Sequence, residues 1–217
     1  MKKSKISHNV ITRLPRYLRY LDELLRGGQH RISSSELGRI MGITASQIRQ
    51  DFSCFGEFGQ QGYGYTIELL KQEIEGILGI HRGRTAFIIG AGNLGRALIG
   101  NFPFEKNGFK LTGVFDRAGD VVGTDIGGLK VRHIDELETA VRDAAPDIAI
   151  LTMPGGAANA MAGRLIDAGL PGIWNFTNVD LKIAGTDVIV QNVHFSDSLQ
   201  TLSYYLERAK AGPEDED

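Results

Sequence analysis

A single cysteine, Cys54, excludes an intramolecular disulfide and leaves no thiol or histidine partner in metal-site spacing, as fits a reducing compartment. No apolar run approaches the roughly 18 residues that a membrane-spanning helix needs, so no span is predicted. The opening "MKKSKISHNVITRLPRYLRYL" is basic but lacks the continuous apolar core and small-residue cleavage site of a secretory signal, which predicts a cytoplasmic protein. Histidine is scarce after residue 84: only His133 and His194 occur there, and neither sits among the Lys, Glu or Tyr of a proton relay. No metal ligand set is predicted. What remains is ordinary, with 42% hydrophobic residues, enough to bury a core in one large domain or two small ones.

The net charge of −2 hides a division. Residues 1–50 carry ten Lys/Arg against three Asp/Glu, whereas residues 85–217 carry eleven against eighteen. A basic front fused to an acidic back makes nucleic acid a candidate partner for the front, although a solvated basic face has the same composition.

Leu14, Leu18, Leu21 and Leu25 recur at helical spacing until Gly27-Gly28, with Pro15 early in the helix or at a break in it. "SSSELGRIMG" predicts a short second helix with Ser33 as N-cap, Glu36 placed for a capping box, and an end at Gly42. "ITASQIRQDFSCFG" resumes the helical period, and the glycine-spaced "EFGQQGYGYTI" reads as a hairpin or wing. "IELLKQEIEGILGI" is a last helix before a boundary at residues 82–84. Beyond it, short apolar strands alternate with helices from "TAFIIG" to "DVIVQNV", the signature of a parallel sheet covered on both faces. "SDSLQTLSYYLERAKAG" forms a terminal helix with Leu199, Leu202, Tyr205 and Leu206 on one side, and the acidic "PEDED" is expected to be disordered. The expected domains are 1–83, 84–195 and 196–217.

On a wheel of about 100° per residue, Ala45, Ile48, Phe52 and Phe55 share one sector of the third helix, opposite Ser46, Arg49, Gln50 and Ser53. Arg pairs with guanine, Gln with adenine, and Ser with bases or phosphates, so the polar face suits a DNA major groove. A helix, a turn, such a helix and a hairpin make a winged helix-turn-helix. The wet side of any surface helix would look similar. Arg13 and Arg16 fit either phosphate contact or ion pairing between modules, and Cys54 fits a packed small residue.

"GAGNLG" follows a strand and opens a helix near Asn93, the context that a dinucleotide turn requires. Gly90 permits the turn, Gly92 lets backbone amides approach a pyrophosphate, Gly95 lets helix and strand lie close, and the helix N-terminus attracts phosphate. Asp116 lies 21 residues past Gly95, where an acid binds ribose hydroxyls. A carboxylate there favours NAD over NADP, with Arg117 beside it a complication. The strands and helices consume nearly all of the remaining chain and leave no room for a substrate domain. Three readings stand at this point: a sensor of the dinucleotide, a small NAD-dependent oxidoreductase with an accessory helical domain, or a DNA-binding protein whose Rossmann fold serves only dimerisation.

Taken together, "RLPRYLRYLDELL", "SSSELGRIMGITASQIRQDFSCFGEFG", "GYGYTIELL", "GAGNLGRAL", "FDRAG", "DIAILTMP", "NFTNVDL" and "LQTLSYYL" resemble, in order, the Rex family of redox-sensing bacterial repressors. The resemblance covers essentially the whole chain. It implies a homodimer that binds palindromic operator double-stranded DNA through winged helices, senses NADH and NAD+ in Rossmann domains, exchanges its last helix, and leaves DNA when NADH binds. It is thus a regulator and no enzyme. The implied dinucleotide residues are Gly90, Ala91, Gly92, Asn93, Leu94, Gly95, Asp116, Arg117, Thr152, Met153 and Pro154, with Phe195 approaching the nicotinamide across the dimer. The implied DNA residues are Arg13, Arg16, Ser46, Gln47, Arg49, Gln50, Ser53 and Gln61. Three departures stand out. Where some members link cofactor to DNA-binding domain through a tyrosine and an aspartate, this chain has Phe102 and His194. His194 fits either a charge-responsive or a packing role. Gln50 and Gln60-Gln61 replace the basic residues common in the recognition helix and wing, which predicts weaker phosphate attraction or an altered operator.

Overall fold

The computed structural model describes residues 6–56, 59–60 and 63–211. Gln61 and the acidic tail lie outside the described residues. The chain divides into two compact units, residues 1–82 and 83–217.

The first unit runs α1 (His8–Arg26), β1 (Arg31–Ile32), α2 (Ser34–Met41), α3 (Ala45–Ser53), β2 (Gly59–Gln60), β3 (Gly64–Thr66) and α4 (Ile67–Leu78). Each of the first three helices starts on a hydroxyl. Ser7 accepts from the Val10 amide, Ser33 from Glu36 and Thr44 from Gln47, each supplying a partner for an otherwise orphaned first-turn N–H. Pro15 lies inside α1, which continues through it without a break. Gly42 ends α2 with φ +69°, a left-handed conformation that glycine adopts without steric cost. Leu14, Tyr17, Leu21, Ile48, Phe52 and Ile74 fill the core beneath these helices. The wing is a three-stranded sheet in the order β1-β3-β2, both pairings antiparallel. The hairpin is legible in the sequence and β1 is not, because two residues carry no period.

The second unit runs β4 (Arg84–Ile89), α5 (Asn93–Asn101), β5 (Phe109–Asp116), β6 (Asp125–Ile126), β7 (Leu129–His133), α6 (Leu137–Ala144), β8 (Ile148–Leu151), α7 (Ala158–Asp167), β9 (Gly172–Asn175), β10 (Ile189–Asn192) and α8 (Phe195–Ala211). The sheet order is β10-β9-β8-β4-β5-β7-β6, parallel except for the β6 edge. Without β6 this is the doubly wound order in which the chain reverses direction across the sheet between β4 and β8, opening a crevice at their carboxyl ends. Alternation along β4 builds two cores. Phe87 and Ile89 pack with Leu137 and Leu165 under α6 and α7, while Ala86 and Ile88 pack with Leu98 and Ile99 under α5. The terminal α8 starts at Phe195, one residue before the expected domain edge. It leaves Leu199, Leu202, Tyr205 and Leu206 between 53 and 67% exposed. No helix among the described residues is long and apolar enough to cross a membrane.

Candidate functional site

The polar face of α3 is solvent-facing: Ser46, Arg49, Gln50 and Ser53 are exposed, while Ile48 and Phe52 are buried. Arg49 donates from Nη1 to Ser34 Oγ at 3.1 Å, so the start of α2 holds its guanidinium. Ser53 Oγ donates back to the Gln50 carbonyl at 2.7 Å, which leaves its oxygen as an acceptor. Arg16 is exposed and donates to the Met41 carbonyl at the end of α2, at 3.2 Å. Cys54 is half-buried, with Sγ 3.5 Å from the same Gln50 carbonyl, so it is less enclosed than a packed small residue would be.

Arg13 and Gln47 differ from the rest of the expected set, because both are committed to Asp51. Arg13 forms an ion pair, but inside the first unit. Its Nε and Nη2 donate to the two carboxylate oxygens at 2.7 Å each. Tyr17 Oη donates at 2.7 Å and Gln47 Nε2 at 2.8 Å to the same group. Asp51 is fully buried, and burial alone would raise its carboxyl. Hydrogen bonds from Arg13, Tyr17 and Gln47, with the Arg13 charge, carry it instead below the usual aspartate range. The Tyr17 phenol is pushed well up, first by burial and then by its hydrogen bond to Asp51. A buried carboxylate needs a counter-charge, and Arg13 supplies it. Sequence reasoning missed Asp51 because its main partner is 38 residues away.

In the second unit the turn after β4 is shaped by two glycines. Gly90 has φ +105°, and a Cβ there would stand 3.0 Å from the Thr152–Met153 backbone. A Cβ on Gly95 would stand 2.0 Å from the Gly90 carbonyl oxygen. Thr152 Oγ1 donates to that oxygen at 2.7 Å and so fastens the loop after β8 to the turn. A Cβ on Gly92 would meet no protein atom within 4 Å. No side chain caps α5, so its first-turn amides are open to water or an anion. Asp116 accepts from the Ala91 amide at 2.6 Å and from Ala118 at 2.8 Å, which holds its carboxylate at the mouth of the turn.

These groups border a cavity of about 340 Å³ lined by Gly90, Gly92, Asp116, Arg117, Thr152, Met153 and Pro154 of the expected set. Ile134, Met161 and Arg164 are among the other lining residues. Nothing in the sequence marked them, since Ile134 follows β7 while Met161 and Arg164 lie on α7, and only the fold brings the two elements together. Arg164 is clamped by Glu138 and donates to the Ile134 carbonyl at 3.0 Å. Ala91, Asn93, Leu94 and Gly95 lie in the turn and first turn of α5 and do not line the cavity. Phe195, 60% exposed, also lies outside it. Its ring is 6.1 Å from Phe176, in a series that continues through Trp174 to Phe102 at 4.6 and 5.3 Å. His194 faces Asp180 at 3.1 Å.

A family model described as "Putative DNA-binding protein N-terminus" matches residues 5–53, and one described as "CoA binding domain" matches residues 81–179. The redox-sensing transcriptional repressor Rex of Caldicellulosiruptor bescii is 48% identical over 94% of each chain. That of Thermoanaerobacter pseudethanolicus is 50% identical over 94% of this chain and 91% of its own. Among solved structures, the Rex-family repressor RSP in complex with beta-NAD+ and operator DNA superposes with a TM-score of 0.88 at 48% identity, covering 96% of this chain and 95% of the other. RSP in complex with beta-NADH gives 0.88 at 45% identity, covering 96% and 97%. Two units of matching kind, in the same order and over nearly the whole length of both chains, place the protein: it belongs to the Rex family of redox-sensing transcriptional repressors.

Proposed function

We propose that this chain is a cytoplasmic repressor that binds palindromic operator DNA as a homodimer and is released by NADH. Residues 1–83 form the DNA-binding domain, 84–195 the NAD(H)-binding domain, and 196–217 the exchanged helix and tail. The observation that carries the reading is the coexistence in one chain of an exposed Ser46, Arg49, Gln50 and Ser53 face with a glycine-turn cavity closed by Asp116. Relatives of such high identity bound to NAD+ with operator, and to NADH, support these ligands over coenzyme A. The dinucleotide contacts proposed are the Gly90–Gly95 turn, Asp116, Arg117 and Thr152–Pro154, with Phe195 reaching the nicotinamide of the partner subunit. For DNA we propose Arg16, Ser46, Arg49, Gln50 and Ser53, with Gln61 from the wing.

The oxidoreductase reading is weaker. Among the described lining residues the ionisable side chains are Asp116, Arg117 and Arg164, of which Asp116 holds backbone amides and Arg164 is held by Glu138. That set offers no group placed for proton transfer beside a hydride path. A sensor needs only that NADH favour the DNA-free conformation, since a ligand with equal affinity for both states shifts nothing.

Fluorescence anisotropy on a palindromic duplex tests the reading. Release by NADH at much lower concentration than by NAD+ is expected, and binding that survives saturating NADH would sink it. Asp116→Ala should weaken the NADH response about tenfold or more, from the loss of a charged hydrogen bond, with DNA affinity unchanged. A parental NADH response would remove Asp116 from the site. Arg49→Ala should cost about 1–3 kcal/mol of operator binding if the guanidinium reads a base. Unchanged affinity would return Arg49 to a solvated face.

A further inference from the structure

We propose that Asp51 is a positioning residue for operator recognition: anchored to Arg13 and Tyr17 of α1, it fixes the roll of α3 about its axis, and so where Arg49 and Gln50 meet the bases. The inference rests on the reading of α3 as the DNA-contacting helix.

Asp51 is the one charged side chain fully buried among the described residues, and it lies on that helix. The hydrophobic side of α3, Ile48 and Phe52, packs by non-directional contact and by itself permits a small roll. Asp51 lies about 60° round the helix from Ile48. From there it makes directional bonds to a different helix. Both its oxygens are used, each accepting one nitrogen of the Arg13 fork and one further donor. A fully satisfied buried network of this kind favours one arrangement over its neighbours, even where it adds little stability compared with apolar packing.

The magnitude is sufficient. Surface atoms of a helix lie about 5–6 Å from its axis, so a roll of about 20° carries them about 2 Å. Hydrogen bonds weaken steeply over a few tenths of an ångström beyond 3.2 Å, so a displacement of that size breaks a bidentate contact to a base. Phosphate attraction, which depends on charge at longer range, is little affected. The predicted defect is therefore in discrimination between sequences. Gln47 joins the same device: the carboxylate can only accept, so the amide nitrogen faces inward and the amide oxygen is left for an outside donor.

The test compares the parent with the paired variant Arg13→Met/Asp51→Leu, which removes both charges, on a palindromic duplex selected by the parent and on a scrambled duplex at equal salt. Melting temperature and NADH affinity are measured alongside. The expected result is a melting temperature within a few degrees of the parent, scrambled-duplex affinity within threefold, unchanged NADH affinity, and operator affinity at least tenfold weaker. A purely structural pair would leave the ratio of operator to scrambled affinity within twofold of the parent, and that result overturns the proposal. Should the paired variant fail to fold, Tyr17→Phe decides: it removes one hydrogen bond and keeps the ring packed on Phe52. A ratio reduced threefold or more supports the anchor, and an unchanged ratio overturns it. A parent that enriches no duplex in the selection overturns the DNA-contacting reading itself, and is distinguished by needing no variant.

Discussion

Gly95→Ala is expected to abolish the NADH response while the repressor still binds its operator. The new Cβ would stand 2.0 Å from the Gly90 carbonyl oxygen, where ordinary contact needs well over 3 Å. That oxygen cannot retreat freely. It already accepts Thr152 Oγ1, and Gly90 lies where even a Cβ would stand 3.0 Å from the Thr152–Met153 backbone. The turn must therefore open, and its movement carries the floor of the cavity with it. Overpacking of this kind costs about 1–3 kcal/mol of stability, and loss of the cradle should lower NADH affinity by about 100-fold or more. Calorimetric titration with NADH measures the loss, and operator anisotropy without NADH reports the first unit. Gly92→Ala is the control with the opposite cause. Its Cβ meets no protein atom, so the melting temperature should hold while NADH binding falls, because the added methyl would take space that the proposed site leaves for a pyrophosphate. A Gly92→Ala protein that binds NADH like the parent would remove the turn from the site.

Those two glycines also mark how far the sequence alone could be read. A turn that needs positive φ, or a helix start that lies against a carbonyl, admits glycine for local reasons, so "GAGNLG" is legible within six residues. The same holds for Ser33, whose capping bond reaches three residues, and for the apolar alternation of β4. β6 was not legible: two residues at an antiparallel edge have no period to detect. Asp51 was hidden for a different reason. A lone acid near the hydrophobic face of an amphipathic helix reads as solvated until the fold brings Arg13 and Tyr17 to it. Likewise the far wall of the cavity exists only once Ile134, just after β7, and Met161 and Arg164 of α7 are brought together by the fold. Phe102 and His194 show the limit of reading by analogy. In place of a hydrogen bond, Phe102 makes a tilted ring contact with Trp174 at 5.3 Å, and His194 turns to Asp180.

Leu202→Glu combined with Leu206→Glu should convert the protein to a monomer and reduce operator affinity by about 10² to 10⁴-fold. The two leucines are each 53% exposed, beside Leu199 at 67% and Tyr205 at 62%, so the substitutions remove little packing within the chain that carries them. Their effect falls on whatever covers α8. Burying a leucine in a partner contributes about 1.5–3 kcal/mol, and a glutamate placed there must instead be desolvated or leave the interface open. A palindromic operator presents two half-sites, and two linked recognition helices bind with an avidity that neither reaches alone. Light scattering gives the mass, and anisotropy on full and half operators gives the affinities. The expected signature is a monomer that binds the full operator no more tightly than the half, with its folded signal intact. A variant that stays dimeric would show that α8 is not the dimer element. A monomer that binds the full operator as the parent does would overturn the avidity argument and show that one subunit suffices for recognition.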